Sequence, residues 1–254
     1  MFRIVIPARY GSSRFPGKVL ATIAGRPLLE WVHRNALRAG AEQVVIGVDD
    51  ERVATAARSF GATVVMTATQ HASGTDRIAQ VAALLNWAPE TIVVNLQGDE
   101  PMMPPALLGQ VAALLAANPG AAIATLAAPV RSLEEFLDTN AVKVVADGCG
   151  RALYFSRAPI PWQRDGAAAG LTSQRSWGDA RRHLGLYAYR VSGLQRLASL
   201  PMAPLEDAEK LEQLRALYAG LEIRIADASE PPGADVNTPA DLQRAEVLLR
   251  AQRN

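Results

Sequence analysis

The chain lacks most of the features that mark a membrane, secreted or metal-cluster protein. Its one cysteine, Cys149, cannot form an internal disulfide and has no second thiol with which to hold a metal, so we expect an incidental turn residue. The apolar run at the start, Phe2 to Ile6, ends at Pro7 and is too short for a signal sequence or a membrane span. These absences predict a cytoplasmic protein with no membrane partner.

The chain also lacks an excess of either positive or negative charge. The 26 basic and 25 acidic residues leave a net charge of +1, so the chain as a whole has no electrostatic reason to bind nucleic acid. Any bound anion must therefore be held by a local site.

Three familiar site patterns are missing as well. Gly11 and Gly17 enclose five residues and Val19 follows Lys18, whereas a Walker A loop has four residues between its glycines and Ser or Thr after the lysine. No G-x-G-x-x-G opens the first predicted helix, and neither His33 nor His71 has a zinc-type spacing to His183. A P-loop NTPase, a dinucleotide enzyme and a zinc protein are all disfavoured.

What is present is a length of 254 residues, half of them apolar, with a strong alternation. From Phe2 to Ala117, runs rich in Val and Ile alternate with amphipathic stretches of helical length. This pattern predicts an α/β fold with a doubly wound, mainly parallel, Rossmann-like sheet, whose ligands bind beyond the carboxyl ends of the strands. We expect one domain over 1–254.

The second half of the chain is patterned differently. From about Ala122, strand-like segments follow one another with fewer long helices, which predicts a smaller mixed or antiparallel subdomain over about 122–220. Pro161 to Arg182 has no apolar period and is typical of a long loop or lid. Two closing helices are predicted, near Leu205 to Tyr218 and Pro239 to Arg250.

A candidate phosphate site follows the first predicted strand. The segment Pro7 to Lys18 combines Arg9, Arg14 and Lys18 with two glycines and two serines. Glycines allow the backbone N–H groups to approach an anion, and the basic side chains neutralise its charge, as a nucleoside triphosphate requires. The alternative is a solvated basic turn.

A candidate magnesium ligand, Asp99, ends the predicted strand Thr91 to Leu96. Mg²⁺ takes few protein carboxylates and completes its shell with water and phosphate oxygens, so one well-placed Asp suffices. The alternative is an ordinary Gly-Asp turn.

Several segments together resemble one family. The loop PARYGSSRFPGK is similar to the signature of nucleotide-sugar pyrophosphorylases, and with HASGTDR and QGDEP it resembles the cytidylyltransferases of 3-deoxy-manno-octulosonate (Kdo). The resemblance covers nearly the whole chain. It implies a nucleotidyltransferase fold, a homodimer, Mg²⁺ as cofactor, and transfer of CMP from CTP to the anomeric hydroxyl of Kdo for lipopolysaccharide synthesis.

The resemblance also assigns roles to residues. It implies that Arg9, Lys18 and Asp99 are catalytic. The nucleotide would be bound by Pro7, Ala8, Arg9, Arg14, Lys18, Ser73, Gly74, Arg77 and Gln97. Within that set, Arg9 and Lys18 would grip the β- and γ-phosphates, and the HASGTDR loop would read the cytosine.

The sugar acid requires a cation for its carboxylate and hydrogen-bonding groups for its hydroxyls. Segments resembling the Kdo enzymes supply Arg157, His183, Tyr187, Glu212 and Gln213. Taken without the resemblance, His183 is more often a structural histidine, and Glu212 with Gln213 could be the polar face of a helix.

One motif departs from the family. Where these enzymes usually read G-V-D-T-P, the chain reads Asp235-Val236-Asn237-Thr238-Pro239. Asn237 can still ligate a metal through its amide oxygen, and in an extended segment Asp235 lies on the same side. We expect Asp99, Asn237 and Asp235 to surround the magnesium, although Asn237 or Thr238 could simply cap the last helix.

Two rival functions remain. A cytidylyltransferase for sialic acid or an amino analogue of Kdo would share the phosphate loop and the fold. A catalytically inactive nucleotide-binding regulator could use the same scaffold, although Arg9, Lys18 and Asp99 are all present.

Overall fold

The structure, a computed structural model, describes residues 1–11, 15–71, 73–166 and 173–251. The strands are β1 (Arg3–Ala8), β2 (Thr22–Ile23), β3 (Arg26–Pro27), β4 (Gln43–Val48), β5 (Thr63–Met66), β6 (Ile92–Asn95), β7 (Ile123–Pro129), β8 (Lys143–Ala146), β9 (Ala152–Ser156), β10 (Arg181–Arg190) and β11 (Ile223–Asp227). The helices are α1 (Leu28–Leu37), α2 (Glu51–Ser59), α3 (Gly74–Leu84), α4 (Pro105–Ala116), α5 (Leu133–Leu137), α6 (Val191–Ser199), α7 (Pro204–Glu209), α8 (Gln213–Tyr218) and α9 (Pro239–Ala251).

A large mixed sheet forms the centre of the molecule. Its strand order is β11-β7-β10-β6-β1-β4-β5, and β8 and β9 extend it beside β10. β6, β1, β4 and β5 are parallel, as βαβ units require, whereas β10 runs antiparallel to both of its long neighbours, β6 and β7. The expected doubly wound fold with a mixed extension is confirmed.

Helices cover both faces of the sheet, because its central strands are apolar on both sides. Alternate residues of β1 illustrate this: Ile4 and Ile6 belong to one buried cluster and Val5 belongs to another. Asp50 and Ser73 cap α2 and α3 through their side-chain oxygens, which explains where these helices begin. Within the described part of the chain, no helix combines the length and the apolar character needed to cross a bilayer.

Three expectations need correction. The helix predicted over Leu205 to Tyr218 is two short helices, α7 and α8, because Lys210 adopts a left-handed conformation with φ 51°. Arg181 and Arg182, assigned to the loop, already belong to β10. The sequence pattern also missed α5, α6, β11 and the small β2–β3 hairpin.

Candidate active site

Two loops that carry the predicted phosphate and metal residues meet at one edge of the sheet. β1 and β6 are adjacent and parallel, with Val5 opposite Asn95, so the segments that follow them leave the sheet side by side. At Gly98 a methyl group would lie 3.1 Å from the carbonyl oxygen of Pro7, which is closer than most side chains tolerate. A glycine is therefore required for the two loops to approach each other this closely.

The basic loop after β1 is held by its backbone. Gly17, with φ +69°, donates its N–H to the carbonyl of Tyr10 at 3.0 Å and closes the loop just before Lys18. Ala8 is buried at the end of β1 and Arg9 is exposed beside it. Arg14, also predicted to bind phosphate, lies outside the described residues.

Lys18 connects the two loops with the segment Asp235 to Pro239, the late motif. Lys18 is buried, with only 9% of its surface exposed. Its ammonium donates to Asp99 Oδ2 at 2.6 Å and to Asn237 Oδ1 at 3.4 Å. The amide of Asn237 donates in turn to the carboxylate of Asp235. The backbone N–H of Val236 also donates to the carbonyl of Asp99 at 2.9 Å, so residues 137 positions apart form one cluster with Lys18.

The 136 residues between Asp99 and Val236 are thus bridged by the fold, which brings all three predicted metal ligands together around Lys18. Two carboxylates and an amide offer the hard oxygen donors that Mg²⁺ prefers. Among the described residues, no three Asp, Glu, His or Cys side chains converge as a complete metal site. The donor set therefore fits an ion that takes its remaining ligands from water and phosphate.

Excess negative charge at this cluster supports the same interpretation. The Oε2 atom of Glu100 is buried and has no hydrogen-bond partner among the described residues. Burial raises the pKa of Glu100 to about 8, with further contributions from the carboxylates of Asp99 and Asp235. At neutral pH Glu100 is therefore mostly protonated, but the carboxylates of Asp99 and Asp235 still outnumber the single ammonium of Lys18, which favours a bound cation.

A polar cavity of about 150 Å³ lies between the basic loop and the start of α3. Its lining contains six predicted nucleotide-binding residues together with His71: Pro7, Arg9, Ser73, Gly74, Arg77 and Gln97. At Gly74 a methyl group would lie 3.4 Å from Pro7 Cγ and 3.8 Å from Gln97 Oε1, so a side chain there would narrow the cavity. The residues predicted to hold the base converge on one cavity.

Two of these residues make specific protein contacts. The guanidinium of Arg77 is almost fully buried and donates to Asp49 Oδ2 at 2.7 Å and to the hydroxyl of Thr67. Gln97 donates its amide N–H to Asn95 Oδ1 at 3.2 Å, which leaves its amide oxygen on the side of the cavity where Gly74 lies. Arg77 therefore shapes the cavity wall through a buried ion pair.

The predicted sugar-binding residues lie around β9, β10 and α8. Arg157 follows β9, and its Nε and Nη1 atoms donate to the carbonyls of Glu209 at 2.7 Å and Thr139 at 2.9 Å. The rings of His183 and Tyr187 are 5.2 Å apart on β10. Their neighbourhood forms one aromatic group rather than a set of isolated side chains.

His183 is a neutral histidine in this environment. Burial and then the nearby Arg182 lower the pKa of His183 to about 3. Its Nε2 is 2.9 Å from the hydroxyl of Thr125, which donates to the carbonyl of Leu186 at 2.8 Å. Because that hydroxyl has one hydrogen, Nε2 of His183 carries the proton and Nδ1 is an acceptor. A cavity of about 480 Å³ extends from His183 to Glu100 and Asp235 and so connects the sugar side with the acidic cluster.

Glu212 links the sugar side to the base cavity. Its Oε2 accepts the hydroxyl of Thr75 at 2.6 Å, and Thr75 follows Gly74 in the base loop. Its Oε1 is buried and has no hydrogen-bond partner among the described residues. Gln213, the first residue of α8, is buried beside it.

Sequence reasoning missed several residues of the site. His71 lines the base cavity and lies 2.5 Å from Gln80 Oε1 through its Nε2; it opens the HASGTDR segment, which was the available signal. Tyr189 stacks on Tyr187 with ring centroids 5.7 Å apart, and burial raises its pKa. Lys143 and Glu209, which contact Arg157, carried no sequence signal because both contacts depend on tertiary pairing.

Comparisons with known proteins agree with this geometry. A family model described as "Cytidylyltransferase" matches residues 3–223. The 3-deoxy-manno-octulosonate cytidylyltransferase of Thioalkalivibrio sulfidiphilus is 51% identical over 250 residues, which are 98% of this chain and 99% of the relative. The protein of the same name from Pseudomonas syringae pv. syringae is 52% identical over 248 residues, 98% of each chain.

Solved structures give the same result. A structure of CMP:2-keto-3-deoxy-manno-octonic acid synthetase complexed with CTP matches with a TM-score of 0.89 and 40% identity, over 99% of this chain and 100% of that one. A cytidylyltransferase from Leptospira borgpetersenii matches with a TM-score of 0.62 over 98% of this chain and 86% of the other. At 17% identity, the second likeness concerns the fold alone.

Proposed function

Because the chain belongs to the 3-deoxy-manno-octulosonate cytidylyltransferase family, we propose that it transfers CMP from CTP to the anomeric hydroxyl of Kdo and releases pyrophosphate. The observation that carries this proposal is the contact of Lys18 with Asp99 at 2.6 Å, where the basic loop meets the acidic cluster beside the base cavity. The product, CMP-Kdo, supplies an activated sugar for lipopolysaccharide synthesis.

The reaction is an in-line displacement at the α-phosphorus. The anomeric oxygen forms a bond to phosphorus, the bond to the β-phosphate oxygen breaks, and the hydroxyl proton is lost to water. Such a reaction needs positioning and charge neutralisation more than covalent help. Arg9 and Lys18 stabilise the charge that grows on the departing pyrophosphate.

Mg²⁺ would be held by Asp99, Asn237 and Asp235, where it would polarise the phosphate and lower the pKa of the attacking hydroxyl. Lys18 already shares Asp99 and Asn237 in this structure, so its ammonium can move between these oxygens and a phosphate as the substrate binds. In this proposal Lys18 keeps the acidic cluster compact and then follows the leaving group.

The base cavity favours cytosine over uracil through hydrogen bonds. The oxygen of Gln97 and the backbone around Gly74 offer acceptors to the 4-amino group of cytosine, whereas uracil has an acceptor at that position. When uracil binds, its 4-oxo group and the protein acceptor face each other with no hydrogen between them, so UTP binds less tightly than CTP. We therefore propose CTP as the nucleotide substrate.

On the sugar side, Arg157 would bind the carboxylate, and hydrogen-bond acceptors would bind hydroxyls. The Nδ1 atom of His183 is one such acceptor, and Oε1 of Glu212, which has no hydrogen-bond partner among the described residues, is another. Tyr187 stays protonated, because burial raises its pKa well above the ordinary value, and can donate its hydroxyl hydrogen.

We also propose a cytoplasmic homodimer, assembled through the segment over about 122–220. Leu153, Met202, Leu205 and Tyr218 are apolar or aromatic side chains of this segment that are more than 40% exposed. Exposed apolar side chains of this kind are typical of subunit contacts. Light scattering after gel filtration tests the state, and a monomeric mass would contradict it.

The experiment that tests the function compares pyrophosphate release in four mixtures: CTP alone, CTP with Kdo, CTP with an amino analogue of Kdo or sialic acid, and UTP with Kdo. Release only when CTP and Kdo are both present supports the proposal. Faster release with sialic acid or the amino analogue would favour the rival transferases. CTP binding without release in any mixture would favour the regulator.

A further inference from the structure

Arg157 is fixed at four of its polar groups. Its backbone N–H donates to Glu209 Oε2 at 2.9 Å, and its Nε donates to the backbone carbonyl of Glu209 at 2.7 Å. Its Nη1 donates to the carbonyl of Thr139 at 2.9 Å, and its own carbonyl accepts from Lys143 Nζ at 2.8 Å. Nη2 has no hydrogen-bond partner among the described residues, so one edge of the guanidinium is left for a ligand.

Lys143 is an unusual residue for its position. It lies on β8 with 0% of its surface exposed, and its ammonium donates to the carbonyls of Asp138 at 2.7 Å and Arg157 at 2.8 Å. Burial of an ammonium opposes folding unless it is well hydrogen-bonded, and an apolar side chain would fill the same space at lower cost. A lysine here supplies what an apolar residue cannot, a hydrogen bond that joins the carbonyl of Arg157 to the end of α5 at Asp138.

Glu209 connects two parts of the sugar side. Its carboxylate accepts from the hydroxyl of Ser156 at 2.6 Å and from the N–H of Arg157, at the end of β9. Its backbone carbonyl lies at the C-terminal end of α7, where helical carbonyls lack partners within the helix, and Arg157 supplies one. Glu209 thereby fixes Arg157 relative to Glu212, three residues further along the chain.

The two cations differ in their partners. The carboxylates of Asp138, Glu209 and Glu135 attract the ammonium of Lys143. The guanidinium of Arg157 bonds to the backbone carbonyls of Glu209 and Thr139, which are neutral. Its charge and its Nη2 edge therefore suit a planar carboxylate that can accept two N–H bonds.

We propose that Lys143 and Glu209 are positioning residues. Their side chains hold the backbone of Arg157, and the carbonyl of Glu209 holds its Nε, so that the guanidinium is oriented to bind the carboxylate of the sugar acid. This inference rests on the proposed function, in which Arg157 is the carboxylate ligand. A residue that only stabilised the fold would affect all substrates alike, whereas a positioning residue affects the acid alone.

The first test uses Glu209→Ala, Glu209→Gln and Lys143→Met, with Tyr154→Phe as the matched control. Tyr154 contacts the same carboxylate at 3.5 Å but does not contact Arg157. We expect KM for Kdo to rise about tenfold in Glu209→Ala and Lys143→Met, because a charged hydrogen bond to the ligand is misdirected. KM for CTP should not change in these variants, and the melting temperature of Tyr154→Phe should match the parent's. Glu209→Gln, which keeps an acceptor oxygen, should recover most of the affinity for Kdo.

The second test separates positioning from a structural effect. The amide of Kdo, which lacks the charged carboxylate, is measured as a competitive inhibitor beside Kdo itself. In the parent enzyme the acid should bind more tightly than the amide, and in Glu209→Ala and Lys143→Met this ratio should shrink. If both ligands weaken equally, the role is structural and the proposal is wrong.

The third test is a double-mutant cycle. Arg157→Ala combined with Glu209→Ala should raise KM for Kdo no further than Arg157→Ala alone, because Glu209 acts through Arg157. Additive effects would overturn the proposal. If the parent enzyme itself released no pyrophosphate from CTP and Kdo, the proposed function would fail first, and that result is independent of these variants.

Discussion

Single residues in the active site neutralise one another. Lys18 bonds to Asp99 and Asn237, Asn237 bonds to Asp235, and these contacts place one cation among several acids. A charge in such a cluster can change partners when an anionic substrate binds, because the new contact replaces one of similar strength. Lys18 can therefore exchange a carboxylate for a phosphate at little cost.

Lys18→Ala should lower kcat at least about a hundredfold, because the variant loses the ammonium that stabilises the negative charge of the departing pyrophosphate. The loop that carries Lys18 is held by backbone contacts such as Gly17 to Tyr10, so the fold should survive. We expect a melting temperature close to the parent's in the presence of Mg²⁺, measured by calorimetry beside kcat.

The control for this variant is Arg58→Ala, which removes a cation from an exposed ion pair with Glu51 on α2. Exposed pairs of this kind contribute little to stability, so neither kcat nor melting temperature should change. A normal kcat in folded Lys18→Ala would exclude the phosphate role.

The late motif gives a second prediction, for the magnesium dependence of the rate. Asp99→Ala should nearly abolish activity, whereas Asn237→Ala and Asp235→Ala should each raise the Mg²⁺ concentration for half-maximal rate roughly tenfold. The double variant Asp235→Gly with Asn237→Asp should have the Mg²⁺ requirement of the parent. In that variant a single carboxylate at position 237 replaces the hydrogen-bonded pair of amide and carboxylate.

Asp207→Ala, at an exposed pair with Lys210, serves as the control for lost negative charge. Titration of the initial rate with Mg²⁺ measures all of these variants. An unchanged midpoint in both Asn237→Ala and Asp235→Ala would show that the late motif does not hold the ion.

At the scale of elements, a hydrogen bond connects the first turn of α3 with the residue that precedes α8. α3 begins in the base loop, where Ser73 and Asp76 form a capping box, and Thr75 in its first turn donates to Glu212 beside α8. Thr75 belongs to the predicted base-binding segment and Glu212 is a predicted sugar ligand, so this hydrogen bond of 2.6 Å joins the two proposed binding regions.

Thr75→Val should therefore weaken binding of the sugar rather than the nucleotide. The change keeps the shape of the side chain but leaves Glu212 Oε2 without its donor, and we expect KM for Kdo to rise roughly tenfold with KM for CTP little changed. Thr75→Ser keeps the hydroxyl and should behave like the parent. Steady-state kinetics in both substrates measures the split, and an equal rise in both KM values would mean that only the helix start is disturbed.

Elements also show what could be predicted from the sequence. Most strands and helices up to Ala116 follow from local periodicity, and caps such as Asp50 mark their beginnings, although the β2–β3 hairpin in this range was missed. The sequence analysis assigned no element to 191–199 and so missed α6, and the break between α7 and α8 depends on one left-handed residue, Lys210. Local pattern carries no information about such a break.

The site was predictable only where its residues lie in continuous motifs. Pro7 to Lys18 and the HASGTDR segment each carry several predicted functional residues within a few positions, and the structure places Pro7, Arg9, Ser73, Gly74 and Arg77 around one cavity. The contacts of Arg157 with Lys143 and Glu209 join residues 14 and 52 positions away, through tertiary contacts that no local pattern encodes.

At the scale of the whole molecule, two histidines make stability depend on pH. Burial lowers the pKa of His183 to about 3 and also lowers the pKa of His33 from 6.5. As pH falls below about 6.5, the unfolded chain takes up protons that the folded protein excludes, so stability declines by up to about 1.4 kcal/mol per pH unit for each histidine. Glu100, whose pKa is raised, acts in the opposite direction between its unfolded value and about 8.

Comparison with a variant isolates the histidine contribution. His183→Gln can still donate to the hydroxyl of Thr125 but does not titrate, so it should lose less stability than the parent between pH 7.5 and 5.5. Urea unfolding at both pH values measures the difference. Equal losses in parent and variant would show that His183 does not contribute to the acid sensitivity.

The position of β10 has a consequence for how this fold can diversify. β10 begins beside β8, passes between β7 and β6, and ends against the parallel strands of the first half. A fragment exchanged with a homologue at about residue 122 would therefore insert a foreign strand into the centre of the sheet that supports the nucleotide loops. The half of the chain that carries the proposed sugar ligands is therefore not a transplantable module, and we expect new acceptor specificity in this architecture to arise by substitutions made in place.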